Sequence, residues 1–168
     1  TKVKIKSIHV WSTDLGNTKP YTIAFKTIDA VQNAFVEITL DNGVTGIGAA
    51  NPSEYVTGEN LGQTLAALQE KHLAFLIGRD IREFQQLNFE AYLKFTKTPA
   101  ARAAIDIALH DAFTKFLGIP LVQFLGQKIK SLPTSNTIGI KNVEETLKEA
   151  QEYGERGFKI LKVKLGKD

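Results

Sequence analysis

The stretch Lys159-Ile160-Leu161-Lys162-Val163-Lys164-Leu165-Gly166, near the C-terminus, decides the fold. Aliphatic and β-branched residues dominate it and a glycine closes it, which predicts a β-strand. Side chains on a strand alternate between two faces, so Leu161, Val163 and Leu165 are expected on one face. The two lysines Lys162 and Lys164 then share the other face.

The segments before this strand predict a β-α-β unit. Residues 132–140 have the composition of a second strand. Asn142, followed three residues later by Glu145, is a capping-box signal for the start of a helix. We expect Gly154 and Gly157 to end that helix. Because a crossover of this kind returns the chain in the same direction, the two strands are predicted to be parallel.

The lysine pair has two possible environments. Strands of parallel sheets are usually apolar on both faces, and Lys162 and Lys164 break that rule. If the apolar face packs under the helix, the lysines point into the interior of a closed α/β barrel, where burial and mutual repulsion lower their pKa values. A lysine of that kind can act as a general base near neutral pH. Alternatively the second face of the sheet is wet and both lysines are solvated, as most lysines are.

Composition limits the classes of protein that this chain can represent. Its 168 residues suffice for one domain, or for one domain and the start of another, and 43% hydrophobic with 23% charged residues is typical of soluble globular proteins. No apolar run spans a bilayer and no signal peptide is visible, so we expect a cytoplasmic protein without membrane contact. The absence of cysteine excludes disulfides and thiolate metal sites. The net charge of +3 is spread along the chain, which argues against nucleic-acid binding.

The order of elements predicts an antiparallel meander followed by helices. Residues 2–11 alternate lysine with apolar residues, as a half-buried strand does. Residues 13–20 are expected to form a loop, and Asp41-Asn42-Gly43 a hairpin turn. Further predicted strands cover residues 21–28, 34–40 and 44–48, and predicted helices cover residues 60–76 and 82–95 and a third segment from Pro99 to Gly118.

Asp106, His110 and Asp111 could be taken for a metal or acid–base cluster. Asp106 and His110 are spaced i and i+4, so they lie on one side of the predicted helix. Buried polar groups generally find hydrogen-bonding partners. A structural hydrogen bond or ion pair in the helical bundle is therefore the favoured interpretation.

With these elements in place, the chain resembles a known family. The run Ala103-Ala104-Ile105-Asp106-Ile107-Ala108-Leu109-His110-Asp111, with Gly118-Ile119-Pro120-Leu121 and Leu125-Gly126, resembles the capping domain of the enolase superfamily, muconate-lactonising subgroup. Lys162-x-Lys164 resembles the catalytic K-x-K of that subgroup's second barrel strand. Residues 134–137 look most like those of the dipeptide epimerases. The resemblance implies an α+β capping domain (antiparallel meander plus helical bundle) over residues 1–128, then the first two strands of a (β/α) TIM-type barrel over 129–168.

The resemblance also implies roles for individual residues. Lys164 would be the base that removes or returns the substrate α-proton, and Lys162 would stabilise the substrate carboxylate and its enolate. Thr137 would contact substrate. Lys26 stands where dipeptide epimerases often carry an arginine for a distal carboxylate, and a lysine lacks the planar two-point grip of a guanidinium. The run Gly46–Ala49 also lacks the acidic residue common there, so the second residue of the substrate stays open.

The implied activity is a Mg²⁺-dependent epimerisation of dipeptides, such as those of the Ala-Glu type. A full barrel takes about 250 residues, so the barrel in this chain is incomplete. The Mg²⁺ ligands and the opposing lysine are expected on later strands, and no metal ligand is assigned here. We therefore expect this chain alone to be inactive, and the full-length protein to be a homo-oligomer.

Two other functions are compatible with the same residues. An o-succinylbenzoate synthase or a cycloisomerase of the same superfamily would use the same lysine pair. A non-catalytic fragment acting as an assembly module is the alternative from another class, because an unpaired apolar strand edge invites association.

Overall fold

The computed structural model describes residues 2–22 and 27–166, with the backbone alone for Tyr21 and residues 27–30. The chain divides into two compact units. The first contains Thr1–Leu15 and Gln32–Gln127, and the second contains Gly16–Val31 and Lys128–Asp168. The predicted boundary between residues 128 and 129 stays a prediction.

The meander forms a three-stranded sheet in the order β1-β2-β3, with β1 at Ile5–Thr22, β2 at Thr27–Leu40 and β3 at Thr45–Ala50. Strands β2 and β3 pair antiparallel from Ala34 with Ala50 to Thr39 with Thr45. Gly43 closes the turn between them with φ +87°, a conformation that favours glycine. This confirms the predicted hairpin.

The predicted loop over residues 13–20 is wrong, because β1 runs through it as a continuous strand. Most of these residues are exposed, so no buried face imposes the apolar alternation by which a strand is recognised. Pro20 is tolerated because β1 is an edge strand of the described three-stranded sheet, where proline is compatible with strand structure.

Helices follow the sheet. Helix α5 begins at Pro99 and ends before Gly118, which has φ +72°, as the punctuation of the sequence predicts. The predicted helix over residues 60–76 is instead broken at Leu68 and Gln69. In the described part of the chain, no helix is both long and apolar enough to cross a membrane. The helices of this unit are α1 (Glu54–Thr57), α2 (Leu61–Ala67), α3 (Glu70–Leu73), α4 (Phe84–Lys94), α5 (Pro99–Leu117) and α6 (Leu121–Phe124), with 3₁₀ turns at Ala74–Leu76 and Ile81–Glu83.

The core of the first unit is built on direct backbone contact between α5 and β3. A Cβ atom on Gly48 would lie 1.9 Å from the carbonyl oxygen of Ala104, and one on Gly46 would lie 2.3 Å from the nitrogen of Ala112. Ala104, Ala108 and Ala112 are fully buried. They recur every four residues, so they present one side of α5 to the strand. Gly46 and Gly48 therefore serve the packing of α5 on β3.

The second unit contains the predicted β-α-β unit. Strands β4 (Ser135–Ile138) and β5 (Ile160–Val163) are parallel neighbours, as predicted. Helix α7 (Val143–Glu155) joins them. It begins after Asn142, whose side chain accepts a hydrogen bond of 2.8 Å from the backbone N–H of Glu145. The helix continues through Gly154, and Gly157, with φ +92°, follows it.

Candidate active site

The parallel strands place Thr137 beside Lys162. These two residues are register partners, as are Ile138 and Val163. Register partners in neighbouring strands point to the same face of a sheet, and residues two apart on a strand do so as well. Lys164 extends the ladder beyond β5, because its backbone N–H donates to the carbonyl of Ile138 at 3.0 Å. Three of the predicted site residues are thus brought to one face.

The two faces of this strand pair differ in character. Ile138 is fully buried on the face opposite the lysines, and α7 packs against its strand. On the lysine face, Thr137 and Lys164 are half-buried and Lys162 is exposed. Two strands do not close a barrel, so the burial of the lysine pair in a barrel interior stays a prediction.

The fourth predicted site residue, Lys26, lies outside the described residues. The nearest described residue of β1 is Thr22, at the C-terminal end of that strand. Its carbonyl accepts a hydrogen bond of 3.2 Å from the backbone N–H of Ile140, just after β4. The proposed contact of Lys26 with substrate stays a prediction.

A group of ionisable side chains, two on α7 and one just before it, was not singled out from the sequence. Tyr153 donates its hydroxyl hydrogen to Glu149 at 2.7 Å, and Lys141 forms an ion pair with the same carboxylate. The hydrogen bond to Glu149, helped by burial, raises the pKa of Tyr153 to about 12. Although burial opposes the change, hydrogen bonds from Lys141 and Tyr153 hold the pKa of Glu149 below its usual value. The i, i+4 spacing of Glu149 and Tyr153 was the available signal.

The Asp106–His110 pair is structural, as predicted. His110 Nδ1 lies 2.7 Å from Asp106 Oδ1 within α5. Asp111 accepts hydrogen bonds from the backbone N–H of Ile47 at 2.9 Å and from Lys115 at 2.7 Å. These three side chains connect the helix to itself and to β3, which is a packing role.

A magnesium site does not fit the residues that are present. Within residues 2–22 and 27–166, no group of three or more His, Cys, Asp or Glu side chains could hold a metal ion. Oxygen-rich ligand sets are what Mg²⁺ requires. No catalytic step is therefore derived through a metal from this chain.

A buried carboxylate was also missed by sequence reasoning. Glu59 is fully buried, two residues after the exposed helix α1. It accepts hydrogen bonds from Thr64 Oγ1 at 2.6 Å and from the backbone N–H groups of Ala100 at 2.8 Å and Ala101 at 3.1 Å. No local pattern marks it, because its partners at the start of α5 are some forty residues away in sequence.

Comparison with known proteins places the chain in a family. Residues 7–126 match the model of the mandelate racemase / muconate lactonizing enzyme N-terminal domain. The L-Lys-D/L-Arg epimerase of Desulforapulum autotrophicum is 54% identical over 164 residues, which cover 98% of this chain and 46% of that protein. The L-Ala-D/L-Glu epimerase of Bacillus subtilis is 31% identical over 151 residues, which cover 90% of this chain and 41% of that protein.

Solved structures agree with this placement. A dipeptide epimerase from Methylococcus capsulatus, complexed with Mg and the dipeptide L-Arg-D-Lys, has a TM-score of 0.95 and 50% identity, covering 98% of this chain and 47% of that one. The substrate-liganded L-Ala-D/L-Glu epimerase from Bacillus subtilis has a TM-score of 0.92 and 30% identity, covering 98% and 46%. The chain thus spans about half the length of the relatives that it matches. It belongs to the mandelate racemase / muconate lactonizing enzyme family of the enolase superfamily.

Proposed function

We propose that this chain supplies the capping domain and the lysine strand of a dipeptide epimerase, which inverts an amino-acid α-carbon by proton transfer. The observation that carries the proposal is the register of Thr137 with Lys162, with Lys164 on the same face. Relatives named as dipeptide epimerases align with nearly the whole chain, which supports it. The strand pairing brings the side chains that the sequence singles out to one face, which supports the proposal.

The proposed chemistry assigns one task to each lysine. Lys164 Nζ takes the α-proton, and the electron pair of the broken C–H bond moves into the substrate carboxylate to form an enolate. The ammonium group of Lys162 stabilises this developing negative charge. Because the α-proton is so weakly acidic, forming that charge accounts for most of the activation barrier. The proton that completes inversion comes from the opposite face of the substrate, from a group outside this chain.

Magnesium enters this proposal through the relatives. Structures of the Methylococcus capsulatus enzyme contain Mg. A bound Mg²⁺ supplies further stabilisation of negative charge on a carboxylate. Because the described residues contain no metal site, we place its ligands outside them.

We propose a dipeptide with basic residues as the substrate class. The relatives at 54% and 50% identity are L-Lys-D/L-Arg epimerases, whereas the L-Ala-D/L-Glu epimerases from Bacillus subtilis and Thermotoga maritima are 31% and 34% identical. The Ala-Glu type named from the sequence becomes the second choice. Lys26 stays proposed as a contact for a substrate carboxylate.

Hydrogen exchange at the substrate α-carbon tests the proposal. The full-length enzyme is incubated in deuterated water with L-Lys-L-Arg, L-Arg-L-Lys and L-Ala-L-Glu, and deuterium at the α-carbon is followed. We expect Lys164→Ala to lower exchange by roughly 10²–10⁴-fold, which is the usual contribution of a general base. Lys159→Ala is the matched control, because Lys159 is exposed and precedes β5, outside the ladder that carries Lys162 and Lys164. Unchanged exchange of both stereoisomers in Lys164→Ala would contradict the proposal.

A cycloisomerase with the same lysine pair is the second candidate. The muconate lactonizing enzyme complexed with muconolactone has a TM-score of 0.87 and 26% identity. An elimination or cycloisomerisation forms a product of different bonding and absorbance, whereas epimerisation leaves mass and absorbance unchanged. Chiral chromatography together with ultraviolet spectra of the products separates the two candidates.

A further inference from the structure

Lys19, in the distal part of β1, contacts α7 in two ways. Its Nζ donates to both carboxylate oxygens of Glu152, at 2.8 and 3.0 Å, across 133 residues of sequence. The same Nζ lies 5.5 Å from the centre of the Tyr153 ring. One ammonium group thus makes an ion pair and a cation–π contact with adjacent residues of the helix.

The aromatic side of this contact is held in place by other side chains. Tyr153 is 6% exposed, and its hydroxyl group is fixed by the 2.7 Å hydrogen bond to Glu149. Arg156 lies over the same ring at 5.6 Å and 3.9 Å from Glu152. The ring and the carboxylate are already oriented. Forming the contact with Lys19 therefore costs less conformational entropy than it would if both partners were mobile.

A backbone contact attaches the same part of β1 a second time. The carbonyl of Thr22 accepts a hydrogen bond from Ile140, on the segment between β4 and α7. Gly16–Val31 belongs to the compact unit of Lys128–Asp168, whereas the earlier part of β1 belongs to the other unit. The two attachment points on β1 are therefore positions 19 and 22. Both lie in the part of the strand that belongs to the second unit.

We propose that Lys19, Glu152 and Tyr153 form a clasp that holds residues 16–22 of β1 on α7, with Lys19 as a positioning residue. Helix α7 joins the strand of Thr137 to the strand of the lysine pair, so the clasp fixes β1 to the same β-α-β unit that carries the proposed site. The inference concerns the conformation of β1 and does not depend on the proposed activity.

The clasp is expected to be weak enough to open and to be sensitive to salt. The side chains of Lys19 and Glu152 are 51% and 47% exposed. Exposed ion pairs contribute little each and are screened by ions in solution. The cation–π contact and the Thr22–Ile140 hydrogen bond add to the ion pair. We therefore expect the contact of residues 16–22 with α7 to open more readily than α7 itself unfolds.

Amide hydrogen–deuterium exchange of the 168-residue chain tests the clasp. We expect Lys19→Met, which keeps the length of the side chain and removes its charge, to speed exchange in residues 16–22 by roughly two- to fivefold. Lys19→Arg keeps charge and cation–π contact and should restore the protection. Lys148→Met is the matched control, since Lys148 is an exposed lysine of α7 outside the clasp. Exchange in α5 should be unchanged in all variants.

Salt separates an electrostatic clasp from a general loosening of structure. Raising sodium chloride from 0.05 to about 0.5 M, which shortens the screening length well below 10 Å, should speed exchange of residues 16–22 in the natural chain and have a smaller effect in Lys19→Met. Two results would overturn the inference: full exposure of residues 16–22 in the natural chain, or equal exchange in Lys19→Met and Lys148→Met. Neither result depends on catalysis, so failure of the clasp and failure of the proposed activity are distinguishable.

Discussion

Glu59 accepts a hydrogen bond of 2.8 Å from the backbone N–H of Ala100, although 41 residues separate them. Thr98, which precedes the first turn of α5, makes no capping hydrogen bond with its side chain. The first backbone N–H groups of a helix have no partner within the helix and carry partial positive charge. The carboxylate of Glu59 therefore does what a local capping residue normally does, from another part of the chain.

Removing this carboxylate should destabilise the first unit. We expect Glu59→Ala to lower the free energy of unfolding by about 2–4 kcal/mol, since buried donors lose their acceptor and a buried cavity is left. Urea denaturation measures the change. Glu54→Ala, at an exposed glutamate of the preceding short helix, is the control and should change stability by no more than about 0.5 kcal/mol. A similar small effect in Glu59→Ala would show that α5 does not need this cap.

Gly48→Ala should be among the most damaging single changes in the chain. The added Cβ would lie 1.9 Å from the carbonyl oxygen of Ala104, and a backbone atom inside a helix cannot move aside as a side chain can. We expect a loss of about 3 kcal/mol or more in stability, or failure to fold. Gly16→Ala is the matched control, because no atom lies within 4 Å of its added Cβ. Equal thermal midpoints for the two variants would contradict the described contact of α5 with β3.

Tyr153 should make the stability of the second unit depend on alkaline pH. Its pKa is about 12 in the folded chain, above the usual 10.0. Between about pH 10 and pH 12 the folded state therefore keeps a proton that the unfolded state has lost. The contribution of Tyr153 to stability is complete below pH 10 and declines as pH rises toward 12. We expect a decline of up to about 2 kcal/mol in the free energy of unfolding. The decline is measured as the difference between the natural chain and Tyr153→Phe in urea denaturation at pH 8 to 12, which cancels the titration of lysines. A difference independent of pH would contradict the hydrogen bond to Glu149.

Thr137→Val should affect substrate binding in the full-length enzyme. Thr137 lies beside Lys162 and is proposed to contact substrate through its hydroxyl group. Loss of one hydrogen bond to substrate should lower kcat/KM by roughly tenfold, mainly through a higher KM, with little effect on folding. Thr134→Val is the control, because Thr134 is exposed and precedes β4. Unchanged kinetics in both variants would remove Thr137 from the proposed site.

The parts of the fold that sequence predicts well are those with local causes. Pro99 and Gly118 mark the ends of α5, and Asn142 marks the start of α7, because capping and positive φ depend on residues within one turn. The hairpin at Gly43 has a similarly local cause. The parallel pairing of β4 with β5 is also predicted, since a helical crossover returns the chain in the same direction.

The parts that sequence misses depend on distant partners. Residues 13–20 have no buried face, so their strand conformation comes from pairing and leaves no apolar pattern. The ion pair of Lys19 with Glu152 and the capping of α5 by Glu59 join residues far apart in the chain. The lysine pair was visible from its alternation, but its neighbour Thr137 could be placed beside it only through the resemblance to a family.

The contact of α5 with β3 has a consequence for mutational libraries of this chain. Two glycines separated by a single residue meet three alanines spaced by four, so this contact depends on very small side chains or none. Ordinary hydropathy profiles give little weight to such positions. In a deep mutational scan we expect Gly46 and Gly48 to accept no other amino acid, while Ile47 between them, at 42% exposure, varies freely. Among the functional variants of such a scan, an invariant, a tolerant and again an invariant codon at positions 46 to 48 would identify the contact of β3 with α5 from sequence data alone.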